Sequence, residues 1–271
     1  MAQRILTSIH GKKLGLSHDG RLIAPQGIML GENAGQQVRI HGPCCSVLWD
    51  DFTNHGFNTN VWLATEGTDS ATSSAAILAG GLDGVLRLTT GDAGTGYAAD
   101  AEQITGKTLQ WQADNGSLIY EIRVKLSAIT TCYVFLGLTD TIAASLEQPI
   151  YSAGSANTIT TDASDAVGFF FDTGMTDDNW WIAGVKGDTD ATHQDTGFAP
   201  VADTYETFHI ELTTDGDAIF YRNGLQVGTK MTGAVTANVP LAPIFTVSKL
   251  SVAASMTMDV DYVHVSQNRL A

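Results

Sequence analysis

Basic residues are in short supply: 14 Lys and Arg stand against 29 Asp and Glu, a formal net charge of −15 over 271 residues. Phosphate backbones are held by clustered cations, so this deficit excludes nucleic acid as a direct partner. Cysteine is scarce too, with Cys44 and Cys45 adjacent and Cys132 distant. Three thiols so placed give neither a disulfide framework nor a C-x-x-C metal spacing, and they read as reduced. No run of about 18 apolar residues exists to cross a membrane as a helix, and Met1-Ala2-Gln3-Arg4 opens no apolar leader region, so neither a membrane span nor a secretory leader is expected. There is no G-x-S-x-G, no phosphate-cradling glycine loop and no H-E-x-x-H. The seven histidines (His10, His18, His41, His55, His193, His209 and His264) lie scattered without metal-ligand spacing, and His209 and His264 read as strand positions. No metal and no cofactor is expected.

Helical periodicity is almost missing as well, and Ile142 to Leu146 is the one segment spaced for a helical turn. What the chain has is β pattern. With 44% apolar and 16% charged residues it can bury a core. Period-2 alternation marks Val85–Leu88, Ile119–Leu126, Ala218–Tyr221 and Met256–Val265, whereas Cys132–Leu136 and Val167–Phe171 are apolar on both faces. Many such runs, separated by Gly, Asp, Asn and Thr, describe an all-β antiparallel sandwich or barrel. The segments 64–81 and 152–165, rich in Ala, Thr and Ser, read as long mobile loops.

The first 42 residues differ. They hold five basic side chains and two acidic ones, whereas residues 43–271 hold nine basic and 27 acidic, a net of −18. Glycines at 11, 15, 20, 27, 31 and 35 break them into steps too short for a core. Leu14 and Leu16, the Asp19-Gly20 turn and Leu22-Ile23 predict a small hairpin near 14–24. The chain therefore divides into an N-terminal arm, 1–42, and a β domain, 43–271. Arg4, Lys12, Lys13, Leu14, Leu16, Arg21, Leu22, Ile23 and Arg39 are the arm's candidate docking residues, because a cationic, extended segment suits an acidic partner surface.

Four segments taken in order resemble the concanavalin A-like jelly roll of laminarinase-type glycoside hydrolases, laminin-G-like modules and bacteriophage structural proteins. They are Leu48-Trp49-Asp50-Asp51-Phe52 with Trp62; Leu118–Leu126; Thr207–Leu212 with Ile219–Gly224, ending in a Tyr-x-Asn-Gly turn; and Met258–Val265. The resemblance spans residues 47–268. A retaining hydrolase of this kind carries two same-face glutamates about 5 Å apart in a Glu-x-Asp-x-Glu strand. That pattern is absent, and the strand in its place, Val167–Asp172, offers aromatics and one carboxylate. The absence implies a protein that is not an enzyme.

Near that strand, Asp172, Asp177, Trp180 and Trp181 are candidate glycan contacts, since indoles stack on sugar rings; alternatively Asp177, Asp178 and Asn179 offer oxygens to calcium, or the pair is structural, one indole inward and one outward. By resemblance, a sandwich behind a basic arm is expected to be a structural protein of a tailed-phage virion. It would decorate the outer surface of the head, bind the major capsid protein or another virion protein, form a homo-oligomer (a trimer first) and be made in the host cytoplasm. The alternatives are a carbohydrate-binding module, with a surface glycan as partner, or a diverged glycoside hydrolase.

Overall fold

The computed structural model describes residues 45–269 except 54–56, 69–72, 80–83, 93–95, 155–156 and 252–254. Ahead of residue 45 it describes the backbone of five short strands: β1 (Leu6–Thr7), β2 (Lys13–Leu16), β3 (Leu22–Ile23), β4 (Met29–Leu30) and β5 (Val38–Arg39). The hairpin read at 14–24 is the β2–β3 pair, with Leu16 opposite Leu22. Lys13, Leu14, Leu16, Leu22, Ile23 and Arg39 lie on these strands. Arg4, Lys12 and Arg21 fall outside the described residues.

Eighteen strands follow: β6 (Cys45–Asp50), β7 (Trp62–Glu66), β8 (Ser74–Ile77), β9 (Leu86–Thr89), β10 (Glu102–Gly106), β11 (Leu118–Leu126), β12 (Cys132–Thr139), β13 (Tyr151–Ser152), β14 (Ile159–Thr160), β15 (Asp165–Asp172), β16 (Trp181–Lys186), β17 (Thr189–Asp190), β18 (Gln194–Asp195), β19 (Tyr205–Leu212), β20 (Ala218–Arg222), β21 (Leu225–Met231), β22 (Ala242–Lys249) and β23 (Thr257–Asn268). They build two antiparallel sheets. The first runs β17-β16-β15-β12-β22-β10-β7, with β18 also on β16. The second runs β21-β20-β19-β11-β23-β9-β8, with β6 also on β23.

The two kinds of strand pattern sort onto the two sheets. In β11 and β19 the side chains alternate between buried and half-buried, so the second sheet faces the core on one side only. In β12, β15 and β22 every residue is buried, so the first sheet is covered on both sides. Between the sheets, Phe169 packs edge-on against Phe208 and Phe220, with ring centroids 4.9 and 5.3 Å apart. Trp180 closes on Phe208 at 4.5 Å. Asn223 and Gly224, both at positive φ, make the tight turn that joins β20 to β21, as the Asn-Gly pair predicts.

Two expectations are corrected. Ile142–Leu146 is not helical; the short turns of helix are Tyr97–Asp100 and Ala113–Asn115, and Leu146 packs against buried side chains from an irregular segment. The stretches read as long loops contain strand: β7 ends and β8 lies within 64–81, and β14 pairs with β13 within or beside 152–165. Ala, Ser and Thr lack the apolar contrast that reveals a strand, yet their backbones pair as readily at an edge.

Among the described residues, β1–β5 pair with one another and with neither large sheet. A fragment spanning 47–268 is therefore expected to be soluble and to unfold in one cooperative thermal transition; an insoluble fragment, beside a full chain that melts normally, would show that the arm completes the sandwich.

Candidate functional site

The place to look first is β15, the strand on which the resembling hydrolases carry their carboxylates. Its Val167, Phe169 and Phe171 point between the sheets and join the main core. Ala166 and Phe170 point the other way and join a second apolar cluster with Tyr97, Tyr133, Phe135, Ile150 and Trp181. By alternation Gly168 and Asp172 share that outward face. The face thus presents Ala, Gly, Phe and Asp, with Asp172 as its single carboxylate.

The reason for Gly168 is steric. A Cβ there would lie 2.6 Å from Cζ of Phe135 and 2.7 Å from the Leu136 carbonyl oxygen. The ring of the neighbouring strand fills the space that a side chain at 168 would need.

A segment from about residue 140 to 164 lies over this face and is fastened to it by hydrogen bonds. Tyr133 donates its hydroxyl to the Ile150 carbonyl at 2.9 Å. The Tyr97 hydroxyl meets the Glu147 carbonyl, and Gln103 Oε1 accepts the Glu147 N–H at 2.9 Å. Asp172 accepts the N–H of Ser152 on one oxygen and of Gly174 on the other, both at 2.8 Å. Burial raises the Asp172 pKa, and those two N–H groups only partly offset it.

Glu147 is a second buried acid, carried by the covering segment. It accepts a hydrogen bond from the Thr139 hydroxyl at 3.1 Å, and burial above all pushes its pKa up to about 7. Tyr133 pairs with Asp172 and Thr139 with Ala166, so the two acids sit six residues apart along the sheet, roughly 20 Å. Cooperating carboxyls in glycosidases stand about 5–10 Å apart. Glu147 and Asp172 do not act on one bond together.

Of the four residues singled out as glycan contacts, three gather at the Asp172 end of β15. The Trp181 indole donates to the Asp177 carbonyl at 3.1 Å, lies over Phe170 and meets the His193 ring at 5.6 Å. His193 is in turn held by Asp190 at 2.8 Å. Trp180 is corrected: it is wholly buried between the sheets, with its N–H aimed at Glu206, and presents nothing to a sugar. Alternation sends one indole of the pair inward and the other outward.

One ionisable group escaped the sequence reading altogether. Glu102, on β10, is fully buried, and both of its carboxyl oxygens lack a hydrogen-bond partner. Burial, with a contribution from Glu66 directly across the pair, pushes its pKa up to about 8. In sequence it is one acid among 29, and only the packing distinguishes it.

No family model matches the sequence, and no curated protein matches it. Solved structures do. A Bacillus licheniformis β-glucanase superposes with a TM-score of 0.53 at 14% identity, over 82% of this chain and 98% of the other. A Bacteroides ovatus mixed-linkage-glucan GH16 protein, solved with its product, gives 0.55 at 14% identity over 80% and 99%. A prokaryotic β-1,3-1,4-glucanase from a mouse hindgut metagenome gives 0.53 at 12% identity over 81% and 98%.

The chain has the concanavalin A-like jelly-roll fold. The expectation that it is not an enzyme is overturned by these matches, because the structures that superpose on it are glycoside hydrolases and one missing motif no longer excludes catalysis. Neither the fold nor the matches support the virion reading.

Two expected outcomes test this description. Replacing Gly168 by Ala should cost about 1–3 kcal/mol through overpacking against Phe135 and Leu136, measured by denaturant unfolding; an unchanged midpoint would show that the strands part freely. For Glu102, the folded pKa lies above the ordinary 4.5. Its contribution to stability is therefore greatest below pH 4.5 and falls as pH rises toward 8, by on the order of a few kcal/mol. Glu102→Gln should flatten that decline in thermal melts taken from pH 4 to 9, and an identical decline in both proteins would refute the assignment.

Proposed function

We propose that this chain is a diverged glycoside hydrolase acting on a β-glucan, with Asp172, Asp177 and Trp181 at its glycan-contacting end. The observation that supports the reading is the fold shared with β-glucanases over four-fifths of this chain, with Asp172 the carboxyl on the outward face of β15, where burial holds its proton more tightly than an ordinary Asp. A carboxyl with a raised pKa is the group that protonates a departing sugar oxygen. Trp181 packs on Phe170 next to it and is itself buried, so Asp177 is the exposed residue of the three. The neighbours named for glucan cleavage suggest the substrate class.

The capsid-docking alternative draws on the charge of residues 1–42 alone. Co-sedimentation of full-length and arm-deleted protein with undecorated capsids tests it.

For the glycan reading, purified protein is incubated with mixed-linkage β-glucan and released reducing ends are counted. Asp172→Asn is expected to lower release at least roughly 100-fold, the usual scale for removing a general acid, while its melting temperature shows the fold retained. Turnover equal to that of the unmodified protein would overturn the role of Asp172. No release by the unmodified protein would overturn the hydrolase reading.

A further inference from the structure

The outer face of the second sheet carries an arrangement that the β15 face does not explain. Strand register places five side chains in one line across five adjacent strands. Trp49 on β6 is opposite His264 on β23, His264 opposite Glu121 on β11, Glu121 opposite His209 on β19, and His209 opposite Tyr221 on β20. Neighbouring strands lie about 4.8 Å apart, so the line is about 19 Å long. It has an aromatic ring at each end and ionisable groups in the middle.

The line is built rather than accidental. Glu121 binds His209 Nδ1 at 2.8 Å through one oxygen and accepts the Tyr262 hydroxyl at 2.8 Å on the other. The second nitrogen of His209 meets Glu211 at 3.3 Å, and the Tyr221 ring lies edge-on to the imidazole at 5.4 Å. Burial disfavours a charged His209, but the two carboxylates outweigh it and its pKa is raised. Trp49 is stacked on Tyr262, with centroids 5.1 Å apart and planes 15° from parallel, yet remains 54% exposed. A large indole fixed in one orientation and left half in water is ready to cover something else.

We infer that this line is a binding surface for an extended neutral polysaccharide chain, laid across the strands from Trp49 to Tyr221. The inference rests on the glycan reading above but uses the opposite sheet. A sugar ring has an apolar C–H face and a rim of hydroxyls. Trp49 and Tyr221 suit the first, and the half-exposed Glu211 suits the second, because a carboxylate accepts from hydroxyls; Glu121 and His209 are engaged with each other and hold the line in place.

Charge selects against other occupants. Glu121 and Glu211 flank His209, so the centre of the line offers no block of positive charge to a polyanion, and residues 43–271 carry a net of −18. Two rings separated by ionised groups are too little apolar area for a stable protein interface.

Affinity electrophoresis through gels containing soluble mixed-linkage β-glucan is the test. The unmodified protein should be retarded, and Trp49→Ala and Tyr221→Ala should each bind roughly tenfold more weakly. Melting temperatures of both variants should stay close to that of the unmodified protein, since both rings lie on the outer face. Retardation that survives both aromatic substitutions would overturn this surface and leave the reading of Asp172 standing. An unmodified protein that is not retarded would overturn the surface too, with the hydrolysis assay judging Asp172 separately.

Discussion

The organisation of this protein depends on one asymmetry: one sheet of the sandwich is buried on both faces, the other on one. Val134, Leu136, Phe169 and Phe171 turn to the main core, while Tyr133, Phe135, Phe170 and Trp181 turn away from it. Such a face cannot be left to water, since each aromatic side chain is worth about 1.5–3 kcal/mol when buried. Residues 140–164 cover it. The polar display of the sandwich lies mainly on the second sheet, whose strands alternate.

The covering segment also explains the state of the acids beneath it. Asp172 and Glu147 are buried because backbone from that segment lies across them, and they keep their protons more readily for the same reason. Both are satisfied by N–H or hydroxyl donors. Glu102 meets no donor, so its burial is a cost that the packing of the apolar core on its side, with Val247 opposite it, must offset.

How much of this was legible in the sequence follows from what each signal depends on. Burial on one face or two is a property of a single strand, so Ile119–Leu126 and Val167–Phe171 announce their places. The Asn223-Gly224 turn is equally local. Register is not. Trp49, Glu121, His209, Tyr221 and His264 are spread over more than 200 residues, and only the pairing of five strands aligns them. Adjacency misled in the opposite direction: Trp180 and Trp181 look like one site, but a strand sends consecutive side chains to opposite sides. Ile142–Leu146 has helical spacing, yet Leu146 packs on the buried cluster from an irregular segment, which imposes no fixed period.

The close approach of β12 to β15 restricts what this sequence can become. At Gly168 a new side chain meets both the Phe135 ring and the Leu136 carbonyl. No single codon change installs an acid there without first disturbing the packing of two strands. Removing the Phe135 ring alone opens a void and still leaves the carbonyl in place. The close packing of this pair therefore bars a side chain at 168, and an acid on the outward face of this strand has to stand at another position.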